Sequence, residues 1–272
     1  MWNPLESLKF PPWDTSDPGA ACGTGGLPLE ATGQFSTGCK KSGSGRQWMP
    51  STGAERDAIC PGLDPQIDCI HLLPGVYYGG WDIDGTKAVV VEPGIYVIAG
   101  GGITIRADGS LESVGAGGGT PAPVLIFNTD NPVANCPGGP ATDCQQNLDL
   151  NAQGNLKLAG LLGDQPCPPV TTAGGCSLGG MVIWYDGDGS QGYTGQIDIQ
   201  GGAELFISGT IYAPTAHVDL HGNVQTNCDS NPTQVAAVQI ISWTWEIGGT
   251  GDLCMPYDPT KLYHLSLQGL VH

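Results

Sequence analysis

The chain is predicted to be all-β: a right-handed parallel β-helix (β-solenoid) over residues 71–272, behind a loop-rich, disulfide-stapled N-terminal cap over residues 1–70. Three observations predict it. In residues 72–106, Leu73-Pro74-Gly75-Val76-Tyr77-Tyr78 returns as Glu92-Pro93-Gly94-Ile95-Tyr96-Val97. Pro-Gly sets a tight turn, because proline fixes φ and glycine accepts positive φ, and the β-branched and aromatic run that follows favours a strand. A turn-plus-strand unit recurring at about 20 residues is the mark of a solenoid, in which each coil buries its apolar face on the next. A second, longer repeat lies further along the chain. Finally, 44 Gly and 22 Pro sit in a chain that is 40% hydrophobic and only 13% charged. That balance argues for turns between many short strands and against disorder.

Taken in order, residues 1–70 scatter Pro4, Pro11, Pro12, Pro18, Pro28, Pro50, Pro61 and Pro65 among Gly and Ser, so no helical period survives beyond one turn. They read as a cap or wrap over the first coil, which needs its strand edges covered, or as a separate loop-rich module that meets a partner. From residue 72 short β runs dominate: Val89-Val90-Val91, Ile103-Thr104-Ile105, Val124-Leu125-Ile126-Phe127, Met181-Val182-Ile183-Trp184 and Val238-Gln239-Ile240-Ile241. The second repeat runs through them. Leu148-Asp149-Leu150-Asn151 matches Ile197-Asp198-Ile199-Gln200, with a weaker copy at Ile103-Thr104-Ile105 and a truncated one at Val218-Asp219-Leu220-His221. The last step, Ile197 to Val218, is one coil long. The earlier steps, Ile103 to Leu148 and Leu148 to Ile197, are more than twice that and suggest two coils each, with an insertion. Alternation places Ile197 and Ile199 inward and Asp198 and Gln200 outward. The tail, residues 261–271, sets Tyr263, Leu265 and Leu267 against Leu262, His264 and Ser266, as a closing strand would.

Ten cysteines are present: Cys22, Cys39, Cys60, Cys69, Cys136, Cys144, Cys167, Cys176, Cys228 and Cys254. None forms CxxC, which removes zinc-ribbon and thioredoxin-like readings. Consecutive pairing into five disulfides is the simplest connectivity, though spacing alone allows others, and it points to an oxidising compartment. The net charge of −17 comes from 9 Lys and Arg against 26 Asp and Glu. A nucleic-acid reader needs a basic footprint, so no nucleic-acid partner is expected. No long apolar stretch is present and residues 1–10 lack an apolar signal core, so no membrane span is expected in this chain.

At Gly209-Thr210-Ile211-Tyr212-Ala213-Pro214-Thr215-Ala216-His217-Val218-Asp219-Leu220-His221-Gly222 the chain resembles the β-helical exported domain of pilus-assembly-associated cell-envelope proteins, of the TadG-like and PilX-like kinds. The Pro-Gly-x-Tyr units and Val124-Leu125-Ile126-Phe127-Asn128 are similar to that family too. The resemblance covers roughly residues 70–272. It implies an extracellular or cell-surface protein with a structural or adhesive role and no enzyme activity. The expected partners are the chain itself or other cell-surface proteins, with polysaccharide as a further candidate; self-association into a filament is suggested by the open-ended geometry of a solenoid and by the uncommitted residues 1–70. The family's N-terminal membrane helix is not seen in this chain.

The constellations that carry chemistry are few. His217, Asp219 and His221 fall on one strand face and offer two imidazoles and a carboxylate to a divalent ion; the alternative is a solvated face whose spacing, about 7 Å from i to i+2, is too open for one metal. Asp149, Asp198 and Asp219 hold equivalent outward positions, about 5 Å apart if their coils are adjacent, where like charges repel. Calcium bridging, the one cofactor this row suggests, would relieve that repulsion, as would solvation or an intervening coil. The Asp-Gly pairs at Asp82-Ile83-Asp84-Gly85 and Asp186-Gly187-Asp188-Gly189 suit calcium loops or tight turns, and the second has Ile197 where an EF-hand needs Glu. Tyr77, Tyr78, Trp81, Trp184, Trp243 and Trp245 could stack on polysaccharide; core packing is the expectation for the last two. The rival classes are therefore a carbohydrate-active β-helix enzyme and a carbohydrate- or calcium-binding module.

Overall fold

The computed structural model describes residues 39–40, 46–47, 60, 64, 66–72, 75–78, 80–113, 121–129, 147–161, 178–186, 195–201, 204–222 and 238–248. Among these there is no helix, and none therefore long and apolar enough to cross a membrane. Two short strands, β1 (Cys39–Lys40) and β2 (Arg46–Gln47), pair antiparallel. All other pairings are parallel and join fourteen strands into one curled sheet.

The pairing is periodic. Three ladders run side by side, and all but the last four strands of this sheet pair with the strand three places later in the sequence. The first ladder holds β3 (Asp68–Leu72), β6 (Lys87–Val91), β9 (Ser110–Ser113) and β12 (Asn155–Ala159). The second holds β4 (Gly75–Tyr78), β7 (Gly94–Ala99), β10 (Val124–Thr129) and β13 (Met181–Tyr185). The third holds β5 (Trp81–Ile83), β8 (Ile103–Ile105), β11 (Leu148–Ala152) and β14 (Gly195–Gly201). The long β15 (Glu204–Gly222) extends all three in turn, and β16 (Val238–Ile247) lies on the latter part of β15. The first of the fourteen, β3, straddles the boundary expected at residue 70.

Alternation explains why one side is core. Ile70, Leu72, Val89, Val91, Leu111, Leu156 and Leu158 from the first ladder meet Tyr77, Tyr96, Ile98, Val124 and Ile126 from the second. Trp81, Ile83, Ile103, Ile105, Leu148, Leu150, Ile197 and Ile199 complete the same cluster from the third. Each fully buried aliphatic of this kind contributes roughly 1.5–3 kcal/mol relative to exposure. The first three aromatics interlock, with Tyr77 and Tyr96 stacked at 6.0 Å and Trp81 edge-on to both at 5.2 and 5.8 Å. The Tyr96 hydroxyl lies 2.9 Å from the Leu72 carbonyl and 2.8 Å from that of Glu92, and burial pushes its pKa up, so it remains a donor.

The register departs from the motif alignment in one place and corrects one sequence expectation. The doubled Pro-Gly-x-Tyr motif aligns Tyr77 with Tyr96, but the sheet pairs Tyr77 with Ile98 and Val76 with Val97, two positions further on. An even shift leaves every side chain on its expected face, which is why the motif still predicts the core. Each of the two long steps of the second repeat spans one strand spacing and not two, because Ile103 pairs directly with Leu148 and Leu148 directly with Ile197.

The outer sides differ between ladders. The second is apolar there as well, where Ile95, Val97, Leu125, Phe127 and Trp184 form a second cluster with Leu161, Leu178 and Met181. Outside the first ladder, Cys60 and Cys69 pack against Val90. Among the described residues, the third ladder alone carries a continuous row of acidic and polar side chains.

Candidate functional site: an acidic ladder

Strand register builds this row. Asp82 stands beside Thr104, Thr104 beside Asp149, Asp149 beside Asp198, Asp198 beside Asp219, and Asp219 beside Glu246. Adjacent members are one strand spacing apart, about 4.8 Å. They face away from the core because the residues flanking them, such as Ile197 and Ile199 around Asp198, are fully buried in it. The expected juxtaposition of Asp149, Asp198 and Asp219 is therefore present, on consecutive strands.

The electrostatics follow from this crowding. Partial burial, and after it the neighbouring Asp198 carboxylate, push the Asp149 pKa up, against the pull of Arg106. Burial and then Asp219 raise Asp198 in the same way, opposed by a hydrogen bond from Gln200 and by His221. Arg106 also lies 3.8 Å from Asp82. A parallel polar row runs alongside, where Asn151, Gln200 and His221 are in register.

His217, Asp219 and His221 share this outer side, with Val218 and Leu220 buried between them as the alternation requires. Their imidazoles are turned to different partners. His217 Nδ1 is 2.8 Å from Thr244 Oγ1 on the next strand, whereas His221 Nε2 is 2.7 Å from Asp219 Oδ1. The Nδ1 side of His221 packs over Gly248, where an added Cβ would stand 2.4 Å from that nitrogen. Among the described residues no three His, Cys, Asp or Glu side chains converge as a metal-binding group.

Asp84 behaves as a turn residue. Its Oδ1 accepts bonds from the Thr86 amide at 3.1 Å and the Thr86 hydroxyl at 2.6 Å, and its Oδ2 pairs with Lys87. Burial alone would raise its pKa, but the bonds from Lys87 and Thr86 bring it down to about 2. Asp186 accepts from Thr129 Oγ1 at 3.0 Å; Asp188 lies outside the described residues.

Of the aromatics weighed as sugar platforms, Tyr77 and Trp81 are core, and Trp184 is buried between Phe127 and Tyr212 at ring distances of 6.0 and 4.8 Å. Core packing, expected for Trp243 and Trp245, is overturned: they are 65% and 61% exposed. Their strand β16 pairs, among the described residues, with β15 alone. Nothing in the local sequence Ser242-Trp243-Thr244-Trp245 distinguishes the last strand of a stack from an internal one.

Cys60 and Cys69 form a disulfide, as consecutive pairing expects. Cys22, Cys136, Cys144, Cys167, Cys176, Cys228 and Cys254 lie outside the described residues, and Cys39 is described in its backbone only. What the outer face offers chemically is a row of closely spaced anions with interleaved amides and imidazoles, suited to attracting cations and hydrogen-bonding donors along a line. No family model, curated protein or solved structure matches this chain.

Proposed function

We propose that the three ladders are the faces of a right-handed parallel β-helix, and that the protein is an exported structural or adhesive component of the cell surface. The observation that carries the functional half is the distribution of polar groups. They are spread one per strand along the third ladder, from Asp82 to Glu246, as a periodic surface and not as a convergent catalytic constellation. The Cys60–Cys69 disulfide supports passage through an oxidising compartment. On this proposal the partners are copies of the chain or other surface proteins, met along the outer faces, in keeping with the resemblance to pilus-associated exported domains. Labelling intact source cells with an antibody to the folded protein tests it. Surface label on intact cells is expected; label only after lysis contradicts it.

A second proposal, a carbohydrate- or calcium-binding module, is favoured by the register pairing of Asp149, Asp198 and Asp219. Melting curves with acidic and neutral glycans, with and without calcium, separate the two. A calcium- or glycan-dependent rise in melting temperature favours the module, and glycan turnover would overturn both.

A further inference from the structure

The two ends of the sheet are unlike. At the first strands, Ile70, Leu72, Tyr77, Trp81 and Ile83 are fully buried. At the other end β16 pairs, among the described residues, with β15 alone, and the run from Trp243 to Ile247 is exposed throughout. Trp245 and Ile247 stand in register with the buried Val218 and Leu220, so they continue core columns, yet remain 61% and 42% exposed. Thr244 and Glu246 stand in register with His217 and Asp219 and continue the polar columns of the outer side. An apolar strand edge of this kind is a template for an added strand.

Charge complementarity names what fits there. Side chains alternate faces, so a segment added to β16 sets every second residue over Trp245 and Ile247 and the others beside Thr244 and Glu246. The first set is favoured by being apolar. The second set meets the end of a line of anions, Asp149, Asp198, Asp219 and Glu246, each one strand spacing from the next. The imidazoles at this end are bonded to Thr244 and Asp219. A cation beside Glu246, with a second one diagonal to it, relieves the line, whereas further anions lengthen it. This chain holds no such run: its nine Lys and Arg include no two at alternate positions. We propose that the β16 edge receives an extended segment of another protein, in which apolar residues alternate with Lys or Arg.

The inference rests on the ladder fold and not on the cell-surface role. Its test uses the full chain at physiological ionic strength and a synthetic peptide of about eight residues alternating Lys with Val. A block-ordered peptide of the same composition and an alternating Glu–Val peptide serve as controls. Binding is followed by tryptophan fluorescence and by hydrogen exchange of the β16 amides. The Lys–Val peptide is expected to bind at least about tenfold more tightly than the block-ordered one and to protect β16. Glu246→Lys is expected to shift preference toward the Glu–Val peptide by roughly 2- to 30-fold. Asp108→Lys changes the net charge equally at an exposed turn four strand pairings away, and is expected to shift it by less than about twofold. Equal binding of ordered and block peptides, equal effects of the two substitutions, or no binding with the sheet's circular dichroism intact overturns the docking and leaves the ladder fold standing. Dimerisation of the chain that the peptide does not displace also overturns it, and assigns the edge to a second copy. So does full protection of the β16 amides in the chain alone, which would assign the edge to the chain itself, where the closing strand expected over residues 261–271 lies outside the described residues.

Discussion

Asp198 is the most crowded carboxylate of the acidic ladder, with Asp149 on one side and Asp219 on the other. Replacing it by Asn removes its charge but keeps an oxygen able to accept the bond from Gln200. At a separation of about 5 Å, two unit charges repel by roughly 0.8 kcal/mol in water and roughly 3 kcal/mol at an effective dielectric of 20. The row is partly solvated, so screening pulls the value toward the lower figure. Directly opposed like charges in sheets cost about 0.2–1 kcal/mol per pair. Two neighbours together give about 1 kcal/mol, or roughly 2–4 °C in melting temperature for a domain of this size.

The pH dependence fixes the sign. Folding raises the pKa of both Asp149 and Asp198 above the unfolded value, because burial and the adjacent carboxylate disfavour the charged form. The cost is therefore fully present above the raised folded pKa. It is relieved as pH falls through that pKa and is gone below the unfolded value of about 3.9. Asp198→Asn should accordingly stabilise at pH 7, lose its advantage as pH falls toward 4, and lose part of it in high salt. Thermal unfolding followed by circular dichroism at pH 7 and pH 4, at two salt concentrations, measures this. A variant less stable than the parent at pH 7, or equally stabilised at both pH values, would refute the electrostatic account of the row.

Three further outcomes follow from the same structure. Gly80 has φ of 71°, and a Cβ there would stand 2.0 Å from the Gly102 carbonyl oxygen, so Gly80→Ala should cost at least about 2 kcal/mol in chemical denaturation; a neutral result would mean this corner is not built as described. Ile199→Ala opens a cavity between Leu150 and Leu220 and should lose about 2–5 kcal/mol, whereas Gln200→Ala on the opposite side should lose under about 1 kcal/mol; equal losses would contradict the assignment of faces. Cys60→Ser with Cys69→Ser opens a loop of sequence separation 9 and should cost about 2–3 kcal/mol, with no further effect of reductant attributable to this pair.

The sequence is most legible where its period is uninterrupted. Alternation in Leu148-Asp149-Leu150 and Ile197-Asp198-Ile199 places the leucines and isoleucines inside and the aspartates outside, because a side-chain period of two leaves only two faces to choose between. The same repeat puts Asp149, Asp198 and Asp219 in equivalent positions independently of any strand pairing. Register is less legible. The Tyr77 and Tyr96 motifs look equivalent, yet the sheet settles two positions away from the motif alignment, a shift that costs no side chain its face. Insertions hide the adjacency of Ile103, Leu148 and Ile197, since loop closure costs grow only slowly with length and a long excursion leaves the ladder intact. Exposure of Trp245 is not legible at all. An inward-facing tryptophan is buried only if another strand follows, and that depends on the stack and not on its neighbours in sequence.

From Asp82 to Glu246, each return of the chain to the third ladder adds one strand spacing, insertions included. Five spacings separate Asp82 from Glu246, which gives about 24 Å at about 4.8 Å each. Pulsed electron spin resonance between labels carried on unnatural ketone side chains at these two positions, which leaves the ten cysteines untouched, measures that distance directly. A narrow distribution centred at about 24 Å is expected from those five spacings. A centre at about 34 Å, the span if the two long steps from Ile103 to Leu148 and from Leu148 to Ile197 each held two coils, would contradict the account. So would a broad distribution with no preferred distance.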